Sequence, residues 1–88
     1  MPSYLIETFL ARCADAERTV REARARSAAE ELTQAGTGVR FAGVIHVPED
    51  EICFFVFDAP SSREAAQAAE VAALDPCRVV EAVTSREE

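Results

Sequence analysis

Eighty-eight residues make a single small domain over 1–88, too short for separate cofactor and substrate lobes. Sixteen acids against nine bases leave a net charge of −7, which argues against a nucleic-acid binder that would need a basic face. All nine bases are arginine, and the lack of lysine excludes Schiff-base and P-loop lysine chemistry.

Residues 4–10, Tyr-Leu-Ile-Glu-Thr-Phe-Leu, read as a first strand from their β-branched, aromatic and apolar content. Asp15 is placed to cap a helix running to about Ala35. Its exposed side carries Glu17–Arg21 and Glu22–Arg26 as acid-first i,i+4 pairs. Ala16, Val20, Ala23, Ala25, Ala28, Ala29 and Leu32 make an apolar stripe whose small side chains predict close packing, and Gly36 and Gly38 end the helix. Val39–Val47 and Ile52–Asp58 read as a hairpin around Pro48-Glu49-Asp50-Glu51, pairing Val47 with Ile52 and His46 with Cys53. Ser61 and Glu64 fit a capping box for a second helix that runs to about Leu74, where Asp75-Pro76 closes it. Arg78–Val83 is the fourth strand, and residues 85–88 form an acidic tail.

The order β-α-β-β-α-β, with right-handed crossovers, predicts an α+β ferredoxin-like fold: an antiparallel sheet ordered 4-1-3-2 with both helices on one face. Both sides of its strands are apolar. Ile52, Phe54 and Val56 point opposite to Cys53, Phe55 and Phe57; strict alternation in the second strand groups Phe41, Ile45 and Val47 against Ala42, Val44 and His46. Two helices cover one face only, so the other predicts a homodimer in which two sheets close an α+β barrel. Shielding of that face within a monomer is the alternative.

Three candidate sites follow. Cys13, His46, Cys53 and Cys77 all fall toward one end of the sheet, and His46 with Cys53 forms the nucleus of a possible zinc, copper or nickel site. The competing reading is that the cysteines are small buried apolar residues and His46 only touches Cys53. Glu7 and Glu81 interrupt apolar strands that lie side by side. They either share a face, as a general acid or base or a polar ligand contact, or one or both sit at a strand end, solvated or paired with Arg78 or Arg40. Phe55 joins Glu7, His46 and Glu81 as a ligand-lining candidate. A serine triad would have His46 alone as its base and no serine in a glycine-rich elbow, and Gly36-Thr37-Gly38 is too short for a dinucleotide loop and follows a helix, not a strand.

Tyr4-Leu5-Ile6-Glu7, Gly38-Val39, Phe54-Phe55-Val56-Phe57-Asp58-Ala59-Pro60-Ser61 and Arg78-Val79-Val80-Glu81-Ala82-Val83 together resemble a widespread family of small bacterial ferredoxin-like proteins. Most of its members have no assigned function, and some carry a nickel-binding label. The resemblance implies a dimeric α+β barrel. Relatives have a histidine near Gly43 and a cysteine near Phe55, so their nickel ligands do not transfer to His46 and Cys53. The expectation is a cytoplasmic dimeric binding or sensing protein that holds a small molecule or a transition metal, with no membrane span and no nucleic-acid partner. The alternative is a cofactor-free monooxygenase- or isomerase-like enzyme using a carboxylate in an apolar cavity.

Overall fold

Burial alternates strictly along two of the strands, and that alternation decides which face the helices cover. In β1 (Ser3–Phe9) Tyr4, Ile6 and Thr8 are buried; in β3 (Ile52–Asp58) Cys53, Phe55 and Phe57 are buried. The computed structural model describes residues 1–83 and 85; the expected acidic tail, apart from Ser85, lies outside the described residues. The remaining elements are α1 (Asp15–Gln34), β2 (Arg40–Val47), α2 (Ser62–Val71) and β4 (Arg78–Ala82). Strand order is β2-β3-β1-β4, all antiparallel, which is the expected ferredoxin-like sheet. No helix among the described residues is long and apolar enough to cross a membrane.

Asp15 is the first residue of α1, not its cap. Ala14 holds the cap position without a side-chain bond, so Asp15 and Glu17 act on the exposed amides as charges in the first turn. The far end closes as expected at Gly36, whose φ of 100° lets Gly36 N–H reach Thr33 O and Thr37 N–H reach Leu32 O. Arg21 pairs with Glu17 at 2.6 Å, but Glu22 meets Arg18 and leaves Arg26 to stack over the Phe41 ring at 5.6 Å.

α2 is shorter than its pattern suggested. Ala73 turns left-handed (φ 55°), and the amides of Ala73 and Leu74 bond back to Glu70 O and Ala69 O. This places Leu74 in the core, 2% exposed, instead of on a further helical turn. Ser61 holds the N-cap position of α2 without a side-chain cap bond: its hydroxyl donates to the Glu64 carboxylate instead of meeting a backbone amide, so the expected capping box does not form, and that bond lowers the Glu64 pKa.

Ala25, Ala28 and Ala29 of α1 and Ala65, Ala68 and Ala69 of α2 are all buried, so both helices lie close to each other and to the sheet. Phe55, Phe57, Ile6 and Leu10 fill the space beneath. Their burial is the main source of stability, each large side chain contributing about 1.5–3 kcal/mol.

Strand β2 departs from strict alternation. Phe41 pairs with Phe57 and Gly43 with Val56, leaving Ala42 as an extra residue in a bulge. Phe41 therefore turns under α1, with its ring 5.5 Å from Phe57 and 6.4 Å from Phe55, and does not join Ile45 and Val47. Beyond the bulge the hairpin keeps the expected register, Val47 opposite Ile52 and His46 opposite Cys53. Pro48–Asp50 forms a single 3-10 turn, and Glu51, left-handed at φ 53°, returns the chain to β3.

Candidate functional site

Two regions hold the candidate residues, one beneath the helices and one on the open face of the sheet. Beneath α1, His46 and Cys53 stand opposite each other on β2 and β3. Arg18 Nη1 lies 3.2 Å from His46 Nδ1. A guanidinium can only donate, so Nδ1 accepts and the ring proton sits on Nε2. That Nε2–H is buried and has no partner among the described residues. Burial pushes the Cys53 thiol pKa up, against the lowering pull of Arg21 and Arg18. Thr8, on the next strand, donates its hydroxyl to Cys53 O at 2.8 Å.

The four-residue metal constellation does not assemble. Cys13 and Cys77 are exposed and free, and no three His, Cys, Asp or Glu side chains come together as a metal cluster among the described residues. His46 and Cys53 are brought into register, but two ligands fall short of a tetrahedral site. Cys77 uses its backbone amide to reach Glu7 O at 2.7 Å, which fastens the start of β4 to β1. Phe55 is wholly buried under the helices, so it lines no cavity on the open face.

The two strand carboxylates do not share a face. β4 pairs with β1 so that Glu7 meets Arg78 and Tyr4 meets Glu81. Positions 7 and 4 differ in parity, which puts Glu81 on the helix side, exposed at the edge strand, and Glu7 on the open side. Arg78 Nε donates to Glu7 Oε1 at 2.8 Å, and that bond raises the arginine pKa further. The single-pair alternative with Arg78 is the one realised.

The open face is apolar at its middle and charged at two places. Leu5, Phe54, Val56 and Val80 are half-buried there, while Ile45 is 51% and Phe9 62% exposed. A second ion pair joins Arg40 on β2 to Asp58 on β3, Nε to Oδ2 at 3.2 Å, and Ser3 donates to the other Asp58 oxygen at 2.7 Å. Both pairs therefore have their cation on an edge strand and their anion on a central one. Between them a hollow of about 480 Å³ opens where the bulge leaves Gly43 opposite Val56.

Arg40, Asp58 and the hollow were missed from the sequence as a site. Asp58 reads as a strand terminator before Ala59-Pro60, and a bulge gives no signal except a glycine inside a strand, here Gly43. No family model, curated protein or solved structure matches this chain.

Proposed function

We propose that the protein acts as a homodimer whose open sheet faces stack and hold a small molecule between them. The observation that carries this reading is the uncovered apolar face of Leu5, Phe9, Ile45, Phe54, Val56 and Val80, backed on its other side by a complete helix-covered core. A second copy of the same face is the cover that its charges favour. Arg40 and Arg78 on the edge strands are 74% and 66% exposed, whereas Asp58 and Glu7 on the central strands are each 19% exposed. Two sheets stacked with crossing strands bring the basic edges of one copy over the acidic middle of the other.

Binding is favoured over catalysis by the state of Glu7. An apolar cavity makes a carboxylate more basic only where no cation stabilises its charge; Glu7 is already bonded to Arg78, and Glu81 is exposed on the opposite face. Among the described residues a transition metal, nickel included, finds no cluster of three ligands and just His46 opposite Cys53, so a small organic ligand is the better occupant. Three free cysteines support a reducing, cytoplasmic setting. The small bacterial ferredoxin-like family is the family we propose for the chain, and its dimeric barrels agree with this arrangement.

Sedimentation velocity on the wild type and Leu5→Glu tests the assembly. The wild type is expected to sediment as a dimer, and the variant as a folded monomer with unchanged circular dichroism. A wild type that stays monomeric throughout the micromolar range refutes the reading.

A further inference from the structure

The hollow on the open face has a chemistry of its own. The bulge at Ala42 leaves Gly43 where the neighbouring row of the sheet carries Val56 and Leu5, so one side chain is missing from the apolar layer. Gly43 has a φ of 149°, a conformation that side-chain-bearing residues rarely adopt, and a methyl group placed there would meet nothing within 4 Å. The gap is thus built into the backbone. Its walls are Leu5, Ile45, Val56 and Ala82, and its volume of about 480 Å³ falls within the range of small-molecule sites.

The polar groups lie at one end of the hollow. Asp58 has both oxygens engaged, one by Ser3 and the other by Arg40 Nε. That contact is an ion pair through the inner nitrogen; Arg40 meets no other carboxylate among the described residues, and its side chain stays 74% exposed at the rim of the hollow. The rim therefore presents a forked cation whose position is set by a satisfied acid. An apolar trough with one oriented guanidinium at its end suits a molecule with a single carboxylate on a hydrocarbon body.

We infer that the Gly43 hollow binds an apolar monocarboxylate, with Arg40 as the anchor for the carboxylate and the apolar walls holding the chain. This inference rests on the dimer reading, because the second copy supplies the lid that removes the ligand from water. An amine meets the exposed Arg40 cation first, because Asp58 is only 19% exposed behind Ser3 and Arg40. An alcohol finds no charge to match.

Octanoate, octylamine and octanol share one apolar body and differ in head group, so calorimetric titration of the wild-type protein with each, alongside sedimentation, tests the inference. Octanoate is expected to bind at least about tenfold more tightly than either of the others. Arg40→Gln is expected to erase that preference, with Arg40→Lys keeping part of it, and Ala82→Phe to weaken octanoate by filling the trough. Equal binding of the three probes, or octanoate binding that survives both Arg40→Gln and Ala82→Phe, overturns the site. An intact dimer that does not bind octanoate overturns the site and spares the assembly. A monomer that binds octanoate through Arg40 overturns the assembly and spares the site; a monomer that binds none overturns both.

Discussion

Glu7 on β1 and Arg78 on β4 face each other across the strand pair at 2.8 Å on the open side of the sheet, while Glu81, three residues on, stands behind it opposite Tyr4. The two carboxylates therefore differ in what their loss does. Glu7→Gln leaves Arg78, on an edge strand of the proposed interface, without its charged partner; Glu81→Gln removes an exposed charge on the opposite face. The first is expected to weaken the dimer by about tenfold or more, since truncating one member of an interfacial pair strands the other. The second is expected to leave it unchanged. Dissociation constants from sedimentation equilibrium check both, and equal effects would remove Glu7 from the interface.

Ala73 carries a cost that a glycine would not. It holds the left-handed position after α2 at φ 55°, where the β-carbon crowds the following carbonyl. Ala73→Gly is expected to stabilise the fold by about 1 kcal/mol, which for a domain of this size raises the thermal midpoint by about 4–8 °C. Ala72, immediately before it, is right-handed and buried, so Ala72→Gly is expected to lower the midpoint. Calorimetry on the two variants separates strain relief from a general response to glycine.

The strength of the sequence lay in local signals. Val47 pairs with Ile52 because a four-residue turn with Pro48 first allows few registers, and β3 shows its two faces through six consecutive apolar residues. The helix stop at Gly36 is equally local. What escaped was set by tertiary context. Phe41 turns inward because the bulge at Ala42 shifts parity by one residue, and every face assignment before it changes with that shift. The register of β4 depends on the Cys77 amide reaching Glu7 O, a contact between residues seventy positions apart, so the pairing of Glu7 with Arg78 was one alternative among several. Arg26 leaves its expected acid for a ring that the bulge delivers.

Cys53 links stability to alkaline pH. Burial raises its pKa above the ordinary value of 9.0, so the unfolded chain loses the thiol proton at lower pH than the folded one. Between those two values the folded state binds more protons, and stability falls as pH rises. This single group removes at most about 1.4 kcal/mol per pH unit within that window. Cys53→Val keeps the apolar volume and is expected to flatten the slope of urea stability between pH 8 and pH 10 (roughly, from the ordinary thiol range). The same burial predicts that a thiol reagent labels Cys13 and Cys77 in the folded protein while Cys53 reacts only after unfolding. Rapid labelling of all three, or an unchanged slope, would contradict the buried neutral thiol.

His46 is the residue whose polarity the fold uses least. Arg18 donates to Nδ1, which forces the proton onto Nε2, where it is buried without an acceptor among the described residues. A buried donor without a partner costs about 1–3 kcal/mol relative to one that is satisfied. Replacing the ring by an apolar side chain of similar reach removes both the donor and its penalty, though it also takes away the acceptor for Arg18. That guanidinium still has Asp15 at 3.5 Å and Glu22 at 3.7 Å, so it keeps counter-charges. His46→Leu is therefore expected to match or exceed the wild-type urea stability, by up to about 1 kcal/mol. Nitrogen-15 shifts of the wild-type ring should show a protonated Nε2 and a bare Nδ1. A loss of more than about 2 kcal/mol in His46→Leu would mean that Nε2–H has a partner in solution. In that case, the region beneath α1 becomes a second place to look for a bound group.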